Sequence, residues 1–296
     1  MIDLKEYLKT YQNVINNKIF ELLNESDNSS RVVQAMRYSI SAGGKRIRPI
    51  LALAAAEATH AHPADVLPAA CVLEMIHTYS LIHDDLPAMD DDNLRRGKPT
   101  SHIQYDEATA ILAGDALLTL AFEILSSTEN DSRENLSRHL KIIHMLARAA
   151  GHRGMIQGQM QDICSEGNKL DLDALIRMHS LKTGALIEAS VVVGAMFGQA
   201  DQDKLDSLHS YAQNIGLAFQ VIDDILNVSG DPAKLGKAIG TDMDREKNTF
   251  PGLMGMTEAT AYAENLVQNA LKTLELFDKS ADPLRAIARY IIDRNN

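Results

Sequence analysis

Cysteine is nearly missing from this chain. Cys71 and Cys164 are the only two, with no CxxC pair and no metal-ligand spacing between them. A disulfide framework or a thiolate metal centre is therefore unsupported, and buried thiols in a reducing cytoplasm are expected. Positive charge is also short. Lysine and arginine number 29 against 40 acids, a formal net charge of −11, which argues against a nucleic-acid partner because phosphate backbones are bound by basic faces. A small anionic substrate is still compatible, since it can arrive with its own cations. The most apolar segment, Gly184–Gly198, is too short to span a bilayer and carries Glu188. The N-terminal MIDLKEYLKTYQNV mixes charges from its third residue and has no apolar signal region. A soluble, cytoplasmic protein with no stable membrane insertion is the expectation. Tryptophan is absent, and residues 100–231 contain no proline at all.

What is present reads as helix. Ala108, Ile111, Leu112, Asp115, Leu118, Thr119 and Phe122 trace one stripe at helical spacing, and Leu205, Leu208, Ala212, Ile215 and Phe219 trace another. No run alternates as a strand, and no Asn-Gly or Asp-Gly hairpin signal occurs. Breaks fall near Ala42–Gly44, His60–Pro68, Pro87–Pro99, Ser127–Glu134, Gly167–Leu172, Gly198–Asp203 and Val228–Pro251. With 45% hydrophobic and 23% charged residues and no fixed-period repeat, the pattern predicts an all-α fold. It would be a single large helical bundle over residues 1–296, with a lid-like loop at about 228–251.

The most chemically loaded stretch is Ser80–Lys98, SLIHDDLPAMDDDNLRRGK. Five aspartates (Asp84, Asp85, Asp90, Asp91, Asp92) crowd together, with Arg95, Arg96 and Lys98 just behind. Carboxylates this close resist ionising together unless a cation joins them. Oxygen ligands suit Mg²⁺, which takes one or two carboxylates and leaves its other positions to water and substrate phosphates; the arginines suit a phosphate fork. A solvated acidic loop with surface arginines is the alternative. Pro87 ends the preceding helix near Asp85, so its terminal carbonyls add negative potential there, which suits a cation and not a lone carboxylate. His77, Ser80 and Asp84 stand at i, i+3 and i+7 and share one face.

Three further segments qualify. Gly43-Gly44-Lys45-Arg46-Ile47-Arg48-Pro49 combines a permissive backbone with cations at a helix start, either an anion cradle or a basic surface loop. Gln220, Asp223, Asp224 and Asn227 lie along one helix, where two carboxylates on an apolar background need a partner. Lys182-Thr183-Gly184 interrupts an apolar helix between the two acidic sites; the lysine and threonine either face inward toward a leaving group or mark a bend.

Together these motifs carry a family. GGKRIRP at 43–49, HTYSLIHDDLPAMDDDNLRRGKPT at 77–100, ILAGDALLTLAF at 111–122, HSLKTGALI at 179–187 and GLAFQVIDDILN at 216–227 stand in family order. The chain resembles bacterial farnesyl diphosphate synthases, short-chain members of the trans-polyprenyl diphosphate synthases, over nearly its whole length. The resemblance implies an all-α bundle around a deep central cavity, usually a homodimer, that joins allylic diphosphates to isopentenyl diphosphate. It implies that Asp84 and Asp90, with Asp85 supporting, and Asp223, with Asp224 supporting, hold three Mg²⁺ when substrate is bound. Arg95, Lys182, Lys237 and Lys247 would grip the allylic diphosphate, and Gly44, Lys45, Arg48, His77 and Arg96 the diphosphate of isopentenyl diphosphate. Thr183 and Gln220 would sit beside the forming carbocation.

Two positions depart from the family pattern. Asn227 stands where the second aspartate motif usually ends in aspartate, and Phe250 where the lid usually carries a tyrosine before its proline. Tyr79, five residues before Asp84, and the inserted pair Pro87–Ala88 imply a farnesyl product; geranyl and geranylgeranyl are the alternatives. Helix geometry half agrees, since at about 100° per residue Ser80 lies roughly 40° from Asp84 and Tyr79 about 140°. Tyr79 reaches the pocket only if the helix distorts or the cavity wraps around it. A terpene cyclase would need no second diphosphate site, and Lys45, Arg48, Arg96 and the absence of tryptophan argue against it. A P-loop fails because Gly230 to Gly236-Lys237 is one residue too long and Ala238 replaces the hydroxyl residue.

Overall fold

The proline-poor sequence does fold as consecutive helices. A computed structural model of the chain describes residues 2–24, 29–127, 132–229 and 247–293. Helices α1 (Leu4–Asn24), α2 (Arg31–Ser41), α3 (Ile47–Ala58) and α4 (Pro63–Asp84) lead into the acidic stretch. After it come α5 (Ser101–Gln104), α6 (Glu107–Ser126), α7 (Arg133–Ala150), α8 (Met155–Cys164) and α9 (Leu172–His179). A π-helical turn, Ser180–Gly184, joins α9 directly to α10 (Ala185–Ala195), and α11 (Gln202–Ser229), α12 (Phe250–Met254), α13 (Met256–Thr273) and α14 (Asp282–Asp293) complete the order.

The centre is built from helices that are apolar nearly all round, which is the signature of complete burial. Along α3, residues Ile50 to Ala56 are fully or almost fully buried, and α10 buries Leu186 to Ala195 apart from Glu188. Alanine and glycine let these two approach closely; Gly194 of α10 meets the Ala52 main chain of α3. Helix α4 packs on α3 and α6, α10 on α11, and α11 runs along α13. By length and composition alone, α4 and α6 could each cross a membrane. The apolar character of α4 is core-forming, since most of it lies inside the bundle.

Several sequence expectations are corrected. Helix α4 begins at Pro63, not Pro68: His62 caps it by accepting the Ala64 amide (3.3 Å), Pro63 occupies the first turn where its missing N–H goes unused, and Pro68 lies inside the helix at the loss of one hydrogen bond. The Pro87–Pro99 break holds a two-residue antiparallel pair, Leu94–Arg95 with Lys98–Pro99, too short to alternate visibly. Gly151–Gly154 separates α7 from α8, a break the sequence did not advertise. Helix α11 continues through Ser229, so Val228 is not loop; the rest of the expected lid up to residue 246, Lys237 included, lies outside the described residues. The apolar stripe of α6 is not its core face. Ala110, Ala113, Gly114, Leu117, Ala121 and Leu125 are buried against neighbours, while Ile111 and Leu112 stand 43% and 58% exposed.

Candidate active site

The acidic stretch folds back over the end of α4. Leucine 86 offers its carbonyl to the Met89 and Asp91 amides, Asp90 donates to the Asp84 carbonyl (2.8 Å) and Asp92 to that of Asp85 (3.2 Å). These bonds satisfy the Asp84 carbonyl, the last of the helix, and set the aspartates around its C-terminus. Burial drives the Asp84 carboxyl up to about 6, with Asp90 and Asp85 adding to the shift and Lys182 opposing it. Asp85 points elsewhere. It is buried, and Arg95 grips both its oxygens, with Nε at 2.7 and 2.9 Å. Arg95 thus spends its fork on Asp85, with Asp92 at 3.4 Å.

The lysines converge through a residue that the sequence reading did not single out. Asp162 of α8 accepts from Lys182 (2.6 Å) and Lys247 (3.4 Å), and Lys247 also reaches Asp90 (3.2 Å). Burial pushes the Asp162 carboxyl up, but the two ammonium groups outweigh it and hold it below the usual carboxylate range. Lys182 sits in the π-helical turn, a feature that concentrates at functional sites. Asn248 fixes Lys247 from the next position. Its side chain accepts from the Leu170 amide (2.9 Å) and donates to the Asn168 and Ser165 carbonyls (2.8 and 3.2 Å). A buried acid late in an otherwise amphipathic helix was the available signal for Asp162.

On the α11 side, Thr183 donates to Gln220 (3.1 Å), Gln220 to Asp224 (2.8 Å), and the Phe250 amide to the other Asp224 oxygen (3.0 Å). Asp224 is therefore buried support, tying the Thr183–Gln220 pair to the start of α12. Asn227 is buried on the same helix, and Asp223, a little more open, stands within electrostatic reach of Arg48.

The cation site forms where α3 begins. Gly43, Gly44 and Arg46 all take left-handed backbone angles (φ +96°, +131° and +53°). A side chain at Gly44 would overlap the Arg96 guanidinium, which donates to the Gly43 carbonyl. Lys45 lies over the Tyr290 ring at 5.7 Å. His77 is half-buried beside this cluster; desolvation first, then Arg48 and Arg96, push its imidazole well below the ordinary range, so it stays neutral.

A cavity of about 520 Å³ runs between these groups. Arg48, His77, Asp84, Lys182 and Thr183 stand at its polar end, and Tyr79, Leu86, Met89, Met155, Ile156 and Met160 line the rest. Residues 77, 79, 80, 81, 83 and 84 of α4 all contact it, so the cavity wraps around the helix and both Tyr79 and Ser80 reach it. The Tyr79 hydroxyl and both ends of the Gln159 amide are buried there with no hydrogen-bond partner. Among the described residues no three His, Cys, Asp or Glu side chains converge as a protein-only metal centre. The donors are carboxylates in small groups, which suits Mg²⁺ completed by water and phosphate, and a bound cation would favour the ionised Asp84 that burial disfavours.

Comparison with known proteins agrees with this arrangement. The polyprenyl synthetase family matches residues 29–287. The farnesyl diphosphate synthase of Haemophilus influenzae is 49% identical over 276 residues, covering 92% of this chain and 91% of its own. A geranylgeranyl diphosphate synthase of Cyanophora paradoxa is 48% identical over 270 residues, covering 91% and 89%. The crystal structure of an FPP/GFPP synthase from Zymomonas mobilis superposes with a TM-score of 0.87 at 40% identity, over 98% of this chain and 99% of that one. The all-α bundle is thus shared with proteins named as prenyl diphosphate synthases, and this chain belongs to the polyprenyl synthetase family of prenyltransferases.

Proposed function

We infer that the enzyme condenses dimethylallyl and geranyl diphosphates head to tail with isopentenyl diphosphate and stops at farnesyl diphosphate. The observation that carries this reading is the meeting of Lys182 and Lys247 on Asp162, with Lys247 also reaching Asp90, beside a cavity that Lys182, Arg48 and His77 line. Two anion-binding clusters at one apolar cavity suit two diphosphates and one growing hydrocarbon.

Asp84 and Asp90 would hold Mg²⁺ against the allylic diphosphate, with Asp223 holding a further ion; bound there, three ions in all, the metal supplies charge neutralisation for the departing pyrophosphate. Lys182 and Lys247 exchange their carboxylate for the diphosphate oxygens as substrate enters. Asp85 orients Arg95, and Asp224 holds the Gln220 amide so that its carbonyl and the Thr183 hydroxyl face the allylic carbon. The allylic C–O bond breaks with its electron pair on pyrophosphate, the isopentenyl double bond forms the new C–C bond, and a proton passes to the retained pyrophosphate. No side-chain base is required. His77, held neutral by its surroundings, donates a hydrogen bond to the isopentenyl diphosphate alongside Lys45, Arg48 and Arg96.

The homodimer finds support in exposed apolar side chains on α6, α7 and α8. Leu112, Leu140 and Met160 are each more than half exposed, and Met160 also walls the cavity. Incubation with dimethylallyl and isopentenyl diphosphates, with Mg²⁺ or with chelator, tests the reaction. Chelator-sensitive farnesyl diphosphate is the expected product. A geranyl or geranylgeranyl product would keep the reaction and change the chain length, and no condensation would overturn the reading.

A further inference from the structure

Tyr79 lines the cavity, yet nothing polar fixes the tip of its side chain. The hydroxyl is buried without a hydrogen-bond partner, so packing alone holds the ring. Among the described residues the aromatic ring that meets it is His83, one turn later on α4, with centroids 5.8 Å apart and planes at 77°. Such an edge-to-face pair favours one relative orientation of the rings over others. His83 lines the cavity as well. Unlike Tyr79, it is anchored. Its Nε2 lies 3.0 Å from the Ile111 carbonyl of α6, and a carbonyl only accepts, so this nitrogen carries the proton and donates. Asp115 Oδ1 stands 3.9 Å from the same nitrogen and favours that tautomer.

The imidazole reaches α6 because position 114 has no side chain. A Cβ there would overlap Nε2, Cδ2 and Cε1 of the His83 ring. Glycine inside a helix is unfavourable relative to alanine, since it has more backbone freedom to lose. Gly114 is nevertheless buried in the middle of α6, at the point where the ring seats. We propose that His83, seated over Gly114, is a positioning residue for product length: it braces the Tyr79 ring so that a farnesyl chain cannot push the ring aside. The glycine, the Ile111 hydrogen bond and the ring pair form one continuous path from α6 to the tyrosine. An unbraced ring is free to turn as a longer tail presses on it, and farnesyl diphosphate then becomes a substrate for one more addition.

This inference rests on the reading of the protein as a farnesyl diphosphate synthase stopped at Tyr79, and the test separates the two. The measured quantity is the rate with farnesyl diphosphate as allylic substrate divided by the rate with geranyl diphosphate, each with isopentenyl diphosphate and Mg²⁺. A change that merely loosens the fold lowers both rates and leaves their ratio. Gly114→Ala adds a methyl group where the imidazole lies; the neighbour is the far end of a side chain, so the ring moves and the helices need not. His83→Gln keeps a donor for the Ile111 carbonyl and removes the ring. Each should raise the ratio roughly fivefold, the factor that loss of one aromatic pair corresponds to. Neither should raise it further in a protein that already carries Tyr79→Ala. Should one variant not fold, the other decides. An unchanged or lower ratio in either folded variant, with a raised ratio in Tyr79→Ala, overturns the brace and leaves the stop at Tyr79. A rise that adds in full to that of Tyr79→Ala makes His83 a wall in its own right and overturns the brace too. An unchanged ratio in Tyr79→Ala would move the stop elsewhere, and the proposal falls with it.

Discussion

Gly158 of α8 lies directly against the main chain of Lys182, so close that a Cβ at position 158 would overlap the Lys182 amide nitrogen. The neighbour is backbone in the π-helical turn and cannot swing aside. One turn further along α8, Asp162 reaches Lys182 because the two elements cross at this distance. Gly158→Ala should push α8 outward, lengthen that ion pair and reduce stability by about 2 kcal/mol, as overpacking does. Chemical denaturation gives the first quantity. The KM for the allylic diphosphate, expected to rise more than that for isopentenyl diphosphate, shows whether the damage is local.

The Asp162 carboxylate stands where it can compensate two ammonium groups before a diphosphate does. Asp162→Asn should destabilise the ligand-free protein by about 2 kcal/mol, because Lys182 and Lys247 are left with less counter-charge in a half-buried place. Mg²⁺ with pyrophosphate should then raise the melting temperature of the variant by more than it raises that of the wild type. Equal shifts would show that the lysines do not turn to the diphosphate.

His179 is buried with no partner on either ring nitrogen, packed 5.6 Å from the Phe250 ring. Burial first, then Lys182 and Lys247, lower its imidazole to about 4, although Asp162 pulls the other way. The unfolded chain takes up this proton near 6.5 and the folded chain only near 4. The stabilising contribution is thus complete above 6.5 and is lost as pH falls toward 4. Between about pH 7 and about pH 5 the wild type should lose roughly 2 kcal/mol more than His179→Phe, read from urea unfolding at each pH.

The helical architecture was legible because the apolar period and the sparse proline agree over long stretches. Motif residues on α4 were placed correctly by their spacing, so His77, Ser80 and Asp84 do share the cavity. What spacing cannot give is which face of an amphipathic helix its neighbours cover. On α6 the small residues Ala110, Ala113 and Gly114 let α4 approach, with the His83 ring filling the space over Gly114, and the larger Ile111 and Leu112 are left outside. Nor could it reveal partnerships made far apart in the chain. Arg95 and Asp85 are only ten residues apart in the chain, but Asp162, Lys182, Lys247 and Asp90 come together from segments far apart in it. Asp162 lies outside every motif quoted above, and an acid on the covered face of an amphipathic helix cannot be told from one on its open face until the helix has packed.

Tyr79 is the residue on which product length should turn. Its ring is 5% exposed, meets the His83 ring edge-to-face at 5.8 Å, and carries an unpartnered hydroxyl into the cavity. The helical angle between Tyr79 and Asp84 is wide, but the cavity wraps around α4 and meets both, so a hydrocarbon anchored at Asp84 runs along the helix toward the tyrosine. Replacing the ring with a methyl group opens space at that point and removes packing worth about 3 kcal/mol. Tyr79→Ala should therefore melt earlier and release geranylgeranyl or longer products from dimethylallyl and isopentenyl diphosphates. Tyr79→Phe removes the hydroxyl and keeps the bulk, so it should still stop at farnesyl diphosphate. Chromatography of the dephosphorylated alcohols separates the outcomes. A farnesyl product from Tyr79→Ala would move the stop to Met155, Ile156 or Met160, whose side chains line the same cavity from α8.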